Sequence, residues 1–374
     1  MLEIFSSNTF HNITLPNVEN KQNNPFLDLN FFLALEDSNS IGKGTGWIAF
    51  PIIAKDNNET LGFMPVFLKE HSYGEYVFDW AWAEAFQQHG LNYYPKMLCG
   101  IPFTPITGPR IYAQDIEVKK ILIKALEKIL KDHNISSCHI LFPDEKDHLL
   151  LNESKWLSRH GVQFKWENKN YNNFDDFLAT LTHNKRKKIK QERKKIKNSN
   201  VLITKKTGEK IKIEDIDFFF KCYCNTYKDH YSTPYLTNNF FHRLLKTMPE
   251  KILLVEAEFE NEKVASAFNI IGSDTLYGRY WGALKYIPGL HFELCYYQGQ
   301  EFCIEKEITF FEGGAQGEHK LARGFEPFST YSNHYISNVD FKIAIEDFLS
   351  AESGKIHEYS NELDDRKPFK KSNS

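Results

Sequence analysis

The chain has 374 residues, of which 41% are hydrophobic and 25% charged, and its formal net charge is −3. This composition is typical of a soluble globular protein, and the length suits two domains of roughly 150 to 200 residues. A disulfide framework is excluded because six cysteines are too few for so long a chain, and no apolar run approaches the length of a membrane span.

The first twelve residues, MLEIFSSNTFHN, lack a basic stretch followed by an apolar one. We therefore expect no signal peptide and a cytoplasmic protein. The nearest approach to a metal motif is Cys222-Tyr-Cys224, which has the wrong spacing for zinc and no second pair. We expect no metal and no permanently bound cofactor.

The first half of the chain alternates predicted helices and strands. A helix is predicted near Pro25–Asp37. The glycine-rich IGKGTG after it is predicted as a loop and not a phosphate-binding P-loop, because no strand precedes it and no Lys-Ser/Thr follows. The other predicted elements are strands at Trp47–Ala54 and Leu61–Leu68, a helix at Asp115–Lys131, a strand at Ser137–Phe142, a helix at Lys146–Arg159 and a strand at Val162–Trp166.

Between these elements, the stretch EYVFDWAWAEAF places Asp79 between two aromatic residues, Phe78 and Trp80. Strand alternation would put the carboxylate on the opposite face from both rings. Asp79 and Trp80 would then contribute to substrate binding in a cleft between the domains. The alternative is a structural role, in which a buried Asp79 pairs with Arg110.

The second half opens on a concentrated basic run. Lys185–Lys197, KRKKIKQERKKIK, holds nine basic residues and one acid, within a helix predicted over Phe174–Lys197. Such a run on an otherwise acidic chain favours an anionic partner, such as the phosphates of tRNA. Alternatively it is a solvated helix face with Ile189 and Ile196 turned inward. No aromatic residues are interleaved for base stacking.

The elements that follow repeat the order of the first half. They are helices at Glu214–Thr226 and Asn238–Thr247, strands at Ile252–Phe259, Val264–Ile271 and Thr275–Trp281, a helix at His291–Glu305, a strand at Ile308–Phe311, a short helix at Glu318–Arg323 and a strand at Pro327–Tyr335. Each half closes as strand, helix, strand, helix, glycine and strand, with Gly324 as a left-handed cap. The order predicts duplicated mixed α/β domains, residues 1–168 and 169–374, the second with a basic helix at 183–197 and a C-terminal helix.

Five stretches carry a family resemblance over residues 24–369: HSYGEYVFDWAWA (71–83), YYPKMLCGIPFTPITGPR (93–110), LYGRYWG (276–282), LHFELCYYQ (290–298) and GAQGEHKLARGFEP (314–327). They are similar to the signature blocks of a bacterial family of predicted N-acyltransferases, also labelled peptidoglycan biosynthesis or recognition proteins. A helix ending in Arg-Gly-Phe-Glu-Pro resembles the close of GNAT-superfamily acyltransferases. Two such domains with a basic helix resemble the Fem-type aminoacyltransferases.

This resemblance implies tandem GNAT-like domains, each a mixed sheet flanked by helices, that transfer an acyl or aminoacyl group to an amine. In GNAT folds the acyl group lies where the sheet splays beside the strand ahead of the main helix. The matching strand and helix imply substrate contacts from Arg279, Tyr280 and Trp281. They imply catalysis by Glu293, or by His291, as a base. Alternatively, His291 caps the helix and Glu293 is an ordinary first-turn acid.

The run GGAQGEHK, residues 313–320, follows a predicted strand at the sheet edge where ligands bind in open α/β sheets. Three glycines in five residues exceed what a turn needs, which favours close approach of the backbone to a ligand over a plain turn and a solvated helix. Substrate binding is assigned to Gly313, Gly314, Gln316, Gly317 and Lys320, and proton transfer to Glu318 and His319.

The acyl donor stays open between acyl-CoA and aminoacyl-tRNA. Residues 282–290, GALKYIPGL, lack the Gln/Arg-x-x-Gly-x-Gly/Ala pattern by which the superfamily cradles the coenzyme A pyrophosphate, whereas the basic run would suit a tRNA backbone. The rival to an enzyme is a module that binds a cell-wall precursor or nucleic acid without chemistry. Several titratable groups near one cleft disfavour that rival.

Overall fold

The structure is a computed structural model that describes residues 2–18, 24–113, 115–314 and 317–370. Gln316 lies outside the described residues, so the substrate contact predicted for it stays a prediction. Packing contacts divide the chain into two compact units. Unit one comprises residues 1–21, 26–162 and 329–359, and unit two comprises residues 22–25, 163–328 and 360–374.

Helices and strands occur in both units. The helices are α1 Leu29–Asp37, α2 Trp80–Gln88, α3 Ile116–Asp132, α4 Glu145–Glu153, α5 Phe174–Thr180, α6 His183–Asn198, α7 Ile213–Asp229, α8 Asn238–Thr247, α9 Leu290–Phe292, α10 Gln298–Glu305 and α11 Val339–Asp365. The strands are β1 Leu2–Ser6, β2 Trp47–Ala49, β3 Ile52–Asp56, β4 Glu59–Met64, β5 Val66–Lys69, β6 Lys96–Cys99, β7 Tyr112–Ala113, β8 Ser137–Leu141, β9 Leu157–Glu167, β10 Leu202–Thr207, β11 Ile252–Phe259, β12 Glu262–Ile271, β13 Thr275–Ala283, β14 Phe310–Glu312 and β15 Glu326–Ile336. A π-helical turn, Glu293–Tyr297, joins α9 to α10, and a 3-10 helix covers Glu318–Arg323.

Unit one holds strands in the order β1-β3-β4-β7 and strands in the order β2-β5-β6-β8-β15. The apolar face of α3 packs on β3, β4 and β7, and its Leu122 and Leu126 are fully buried. Each strand predicted at 47–54 and 61–68 is in fact two strands. Pro51 and Pro65 interrupt them, because proline cannot donate to a ladder, and the two parts enter different sheets.

Unit two holds strands in the order β10-β11-β12-β13-β14-β9. Its strands pair antiparallel except β13 and β14, which are parallel and are joined through α9, the π-helical turn and α10. Unit one contains the matching arrangement, because β6 and β8 are parallel and α3 lies between them in the chain. This repeated crossover agrees with the predicted duplicated order.

Each unit receives its closing strand from the other half of the sequence. Residues 165–167 of β9 pair with β14 in unit two, and residues 332–336 of β15 pair with β8 in unit one. Residues 329–359, which carry most of α11, therefore pack within unit one. This grouping differs from a single division between residues 168 and 169.

Three local predictions are corrected by the structure. The helix predicted over Lys146–Arg159 ends at Glu153, because Lys155 turns left-handed (φ 63°), and Gly161 lies inside β9. The helix predicted over Phe174–Lys197 is broken by extended backbone at Leu181 and Thr182 into α5 and α6. Asp79 precedes α2 and does not lie on a strand.

In the described ranges, no helix combines the length and apolar character needed to cross a membrane.

Candidate active site

In unit two, strands β13 and β14 separate after a short parallel ladder. The ladder joins Thr275 to Phe310, Leu276 to Phe311 and Tyr277 to Glu312. Beyond that point β13 continues to Ala283, whereas β14 ends at Glu312. A bulge against β12 makes Arg279 the extra residue of β13, between Gly278 and Tyr280. We call the separation of the two strands the opening.

The glycine run begins where β14 ends, and its Gly314 lies beside β13. A Cβ atom placed on Gly314 would lie 3.8 Å from the carbonyl oxygen of Gly278, and both Gly314 (φ 85°) and Gly317 (φ 117°) have backbone angles that favour glycine. The Nζ atom of Lys320 donates to the Gly314 carbonyl at 2.8 Å. The run therefore holds a cation beside the opening.

Lys320 is a buried lysine, with 2% of its surface exposed. Within the described ranges no carboxylate pairs with it. Burial lowers the pKa of Lys320 to about 8, because desolvation disfavours the ammonium form. Near neutral pH the side chain is therefore a cation that would gain from a negative charge developing nearby.

Two histidines lie close to this lysine. His319 Nε2 is hydrogen-bonded to Tyr296 Oη at 2.8 Å, and the His319 ring centroid lies 6.3 Å from that of His291. Burial, together with the neighbouring cations Lys320 and Arg323, lowers the pKa of His319. Burial lowers the pKa of His291 to about 4, and His319 adds to that shift. Both imidazoles are therefore neutral near pH 7 and able to accept a proton.

The predicted base Glu293 is buried in an ion pair. Its Oε1 atom lies 3.0 Å from Arg193 Nη2 and accepts from Gln298 Nε2 at 2.8 Å. Arg193 also binds Glu301 at 2.6 Å, so it bridges two carboxylates beside α10. We interpret Glu293 mainly as an anchor for α6. Sequence reasoning missed Arg193, since nothing in the basic run distinguishes it from its neighbours.

Glu318 forms an ion pair at the surface of unit two. Its side chain is 42% exposed and its Oε2 atom lies 2.7 Å from Arg366 Nη1. A surface ion pair of this kind contributes little to stability, and we interpret Glu318 as a surface residue and not as the base. We expect Glu318→Gln to change turnover by less than about twofold, measured by steady-state kinetics. Its melting temperature, measured by calorimetry, should change by less than about 1 °C. A large loss of turnover would restore Glu318 as a base.

The three residues of β13 that were predicted to contact substrate, Arg279, Tyr280 and Trp281, have different surroundings. The Tyr280 ring packs against Tyr223 and Phe241, at centroid distances of 5.4 and 5.7 Å. Trp281 instead lies 5.2 Å from His291, and both line a cavity of about 530 Å³ with Phe292. The Arg279 guanidinium lies 5.2 Å from the Tyr280 ring centroid. This cavity therefore borders one member of the histidine pair, His291.

The basic helix α6 lies along a second cavity in unit two. Six of its lysines are exposed: Lys187, Lys188, Lys190, Lys194, Lys195 and Lys197. Ile189 and Ile196 are buried, as predicted. The cavity, of about 760 Å³, is lined by Lys190, Arg193, Lys194 and Lys197 on one side and by Phe174 and Glu293 among others. The exposed helix is confirmed; anion binding by it stays a prediction.

Asp79 and Trp80 belong to unit one. Asp79 is buried in an ion pair with Lys96 and accepts from Tyr93 Oη at 2.6 Å. Burial alone would raise the pKa of Asp79, but Lys96 and then His139 hold it well below its usual value. The predicted pairing with Arg110 is wrong, because the Arg110 guanidinium donates to backbone carbonyls. Trp80 is partly exposed, 5.0 Å from the Tyr73 ring.

Of the predicted site residues, unit two brings together Gly314, Gly317, His319 and Lys320 beside β13, with His291 and Trp281 adjacent. Gly313 follows β14 and packs near the Lys320 side chain. Glu293 and Glu318 face ion-pair partners, and Tyr280 faces the core. Among the described residues, no three His, Cys, Asp or Glu side chains are placed to hold a metal ion.

Comparison with solved structures shows the fold. L-PGS from Bacillus licheniformis is 9% identical, with a TM-score of 0.50, and the match covers 86% of this chain and 96% of that one. FemX is 12% identical, with a TM-score of 0.50 and coverage of 81% and 91%. A tandem GNAT protein of the clavulanic acid pathway is 6% identical, with a TM-score of 0.46 and coverage of 90% and 99%. The predicted mixed α/β fold, with central mixed sheets flanked by helices, is confirmed.

Comparison at the sequence level gives the family. Curated proteins provide no significant match. The family model described as FemAB-like, peptidoglycan biosynthesis/recognition, matches residues 6–371. Since this match spans nearly the whole sequence, the chain belongs to the FemAB-like family, as its resemblance predicted.

Proposed function

We propose that unit two transfers an acyl or aminoacyl group to the amine of a peptidoglycan precursor, at the opening between β13 and β14. The observation that carries this proposal is the adjacency of a neutral imidazole, His319, and a buried cation, Lys320, beside that opening. Amide formation needs these two groups, one to take a proton from the amine and one to stabilise a developing oxyanion. Membership of the FemAB-like family supports the peptidoglycan assignment.

In the proposed reaction, the acceptor amine attacks the carbonyl carbon of the donor ester or thioester. A C–N bond forms, and the C–O or C–S bond to the carrier breaks when the tetrahedral intermediate collapses. His319 takes the amine proton and returns it to the leaving oxygen or sulfur. Lys320 compensates the oxyanion charge in between.

This role requires one tautomer of His319. In this tautomer Nε2 carries the proton and donates a hydrogen bond to Tyr296 Oη. The phenol stays neutral because burial raises its pKa, and its oxygen can accept that hydrogen bond. Nδ1 is then the proton acceptor, and the described residues provide no hydrogen bond to it. The Tyr296 contact thereby orients the ring without occupying the reactive nitrogen.

For the donor, we favour aminoacyl-tRNA over acyl-CoA. Six exposed lysines on one helix present the charge that a phosphate backbone binds. Three of them, Lys190, Lys194 and Lys197, line a cavity that Glu293 also lines. A pyrophosphate needs fewer cations in a smaller glycine-rich loop.

We expect a charge reversal on α6 to weaken tRNA binding by about 100-fold or more and to flatten its salt dependence. The variant replaces Lys187, Lys188, Lys194 and Lys195 with Glu, and its melting temperature should stay nearly unchanged because surface charges contribute little to stability. Fluorescence anisotropy with labelled tRNA measures the affinity. The matched control reverses four exposed lysines elsewhere in unit two: Lys210, Lys221, Lys246 and Lys306. Equal affinity in both variants would contradict a tRNA site on α6.

The transfer itself is tested by offering the purified protein aminoacyl-tRNA and acyl-CoA in parallel, each with an amine-bearing peptidoglycan precursor peptide. Mass spectrometry detects the amide as a mass increase of the peptide. We expect product from aminoacyl-tRNA. Product from acyl-CoA alone would overturn the donor assignment, and binding of both substrates without product from either donor would favour a binding module.

A further inference from the structure

The basic run of α6 contains a single acid, and that acid is turned toward the site. The Glu192 side chain is 18% exposed, in contrast to the exposed lysines around it. Its two carboxylate oxygens lie 2.9 and 3.0 Å from Arg323 Nη2, and it also accepts a hydrogen bond from Tyr297 Oη. Glu192 therefore has three contacts in unit two that a solvated helix face would not require.

Arg323 continues this connection to the candidate base. Its side chain is 3% exposed, and its guanidinium lies 3.4 Å from the Phe292 ring centroid. Arg323 Nη1 donates to the backbone carbonyl of His319 at 2.8 Å. A buried guanidinium needs its carboxylate partner, because an unpaired buried charge is costly. The position of Arg323, and with it the backbone of His319, therefore depends on Glu192.

The next residue of α6 makes a contact of opposite sign. Arg193 binds Glu293 of the π-helical turn and Glu301 of α10, whereas its neighbour Glu192 binds Arg323 of the 3-10 helix. Two adjacent residues of α6 therefore hold these three elements through ion pairs, one with its basic and one with its acidic side chain. The helix cannot slide or rotate on these elements without breaking both sets of ion pairs. Its lysines, on the exposed side, move with it.

We propose that Glu192 is a positioning residue that, through Arg323, holds His319 in register with a donor bound on the lysines of α6. This inference rests on the proposed function, in which α6 binds the donor and His319 accepts the amine proton. It explains why one acid interrupts a run of nine basic residues, where a purely electrostatic surface would gain from another lysine.

The test compares Glu192→Gln with Glu192→Asp. Gln keeps the shape but removes the charge that holds Arg323, so kcat should fall about 10- to 100-fold, as for other small misplacements of a reacting group. KM for aminoacyl-tRNA should stay within about twofold of the parent value, because the lysines are untouched. Asp keeps the charge with a shorter reach and should recover part of kcat. The control is Glu305→Gln, which removes an acid of α10 paired at the surface with Lys205 and should leave both constants unchanged.

A second measurement does not depend on turnover. The imidazole NMR resonances of His319, assigned by comparison with a His319→Gln variant, should shift in Glu192→Gln and stay at their parent positions in Glu305→Gln. If the parent enzyme makes product and Glu192→Gln has its full kcat, the inference is overturned and the proposed function stands. If the parent makes no product, the proposed function fails. Separately, His319 resonances that stay unshifted in Glu192→Gln would overturn the inference, because they would show that Glu192 does not hold His319 in position.

Discussion

Replacing Lys320 with methionine is expected to abolish most of the transfer activity while making the protein more stable. A lysine whose pKa is lowered to about 8 in the folded state is disfavoured there as a cation by about 3 kcal/mol relative to the unfolded chain. This penalty is fully present below pH 8 and disappears as the pH rises toward the unfolded value of 10.5. Methionine fills the same space without the charge.

The substitution also removes the hydrogen bond from Lys320 to the Gly314 carbonyl, which costs about 1 kcal/mol. The net gain in unfolding free energy near pH 7 should therefore be about 2 kcal/mol, a rise of several degrees in melting temperature. Turnover should fall about 10²- to 10³-fold through loss of oxyanion stabilisation. Calorimetry and the mass-spectrometric transfer assay measure the two effects.

The control for this prediction is Lys306→Met, at an exposed lysine after α10, which should alter neither quantity. Lys320→Arg provides a further check, because arginine stays charged above pH 8. The parent should lose turnover above about pH 8 as Lys320 deprotonates, and the arginine variant, where the side chain fits, should not. A Lys320→Met variant that is destabilised and fully active would show that the buried lysine is structural.

Gly317→Val is expected to lower turnover by about 10²- to 10³-fold. A Cβ atom at Gly317 would lie 2.4 Å from His319 Cε1 and 2.8 Å from Nδ1, so the ring must move away from the position in which Tyr296 holds it. The backbone angle φ of 117° adds strain for a β-branched residue. Steady-state kinetics should show the loss in kcat, with donor affinity on α6 retained.

The matched control is Gly208→Val, also in unit two. Gly208 has a positive φ of 56°, but a Cβ atom there would meet nothing within 4 Å. Gly208→Val should therefore show a comparable loss of stability with normal turnover. If the two variants lose stability and activity to the same extent, the effect at Gly317 is one of backbone strain alone and His319 is not the affected group.

Local patterns predicted much of the fold because they depend on neighbouring residues. The apolar period of α3 placed that helix to within a residue, and the structure adds Asp115 as its cap, which accepts from the Val118 backbone N–H. The left-handed Gly324 was predicted in the same way and is found at φ 86°. Splitting of the early strands was also readable in principle, since Pro51 and Pro65 break a ladder wherever they occur.

Partners across the chain could not be predicted from such patterns. The carboxylate of Glu293 suited a base at the start of a helix, and nothing local indicated that Arg193, one hundred residues earlier, would pair with it. Asp79 likewise pairs with Lys96 and not with Arg110. The opening itself followed from the family resemblance, whereas the lowered pKa of Lys320 depends on burial that no spacing rule encodes.

The pairing of β8 with β15 has a consequence for how the protein is made. The ladder joins Leu141 to Ser332, so the strand that completes unit one is synthesised after every strand of unit two. Until then the edge of β8 is open on a growing chain, and open edges are templates for wrong pairing. The first unit is thus closed by a strand that leaves the ribosome after all the strands of the second unit, and a nascent chain arrested near residue 168 holds neither finished unit.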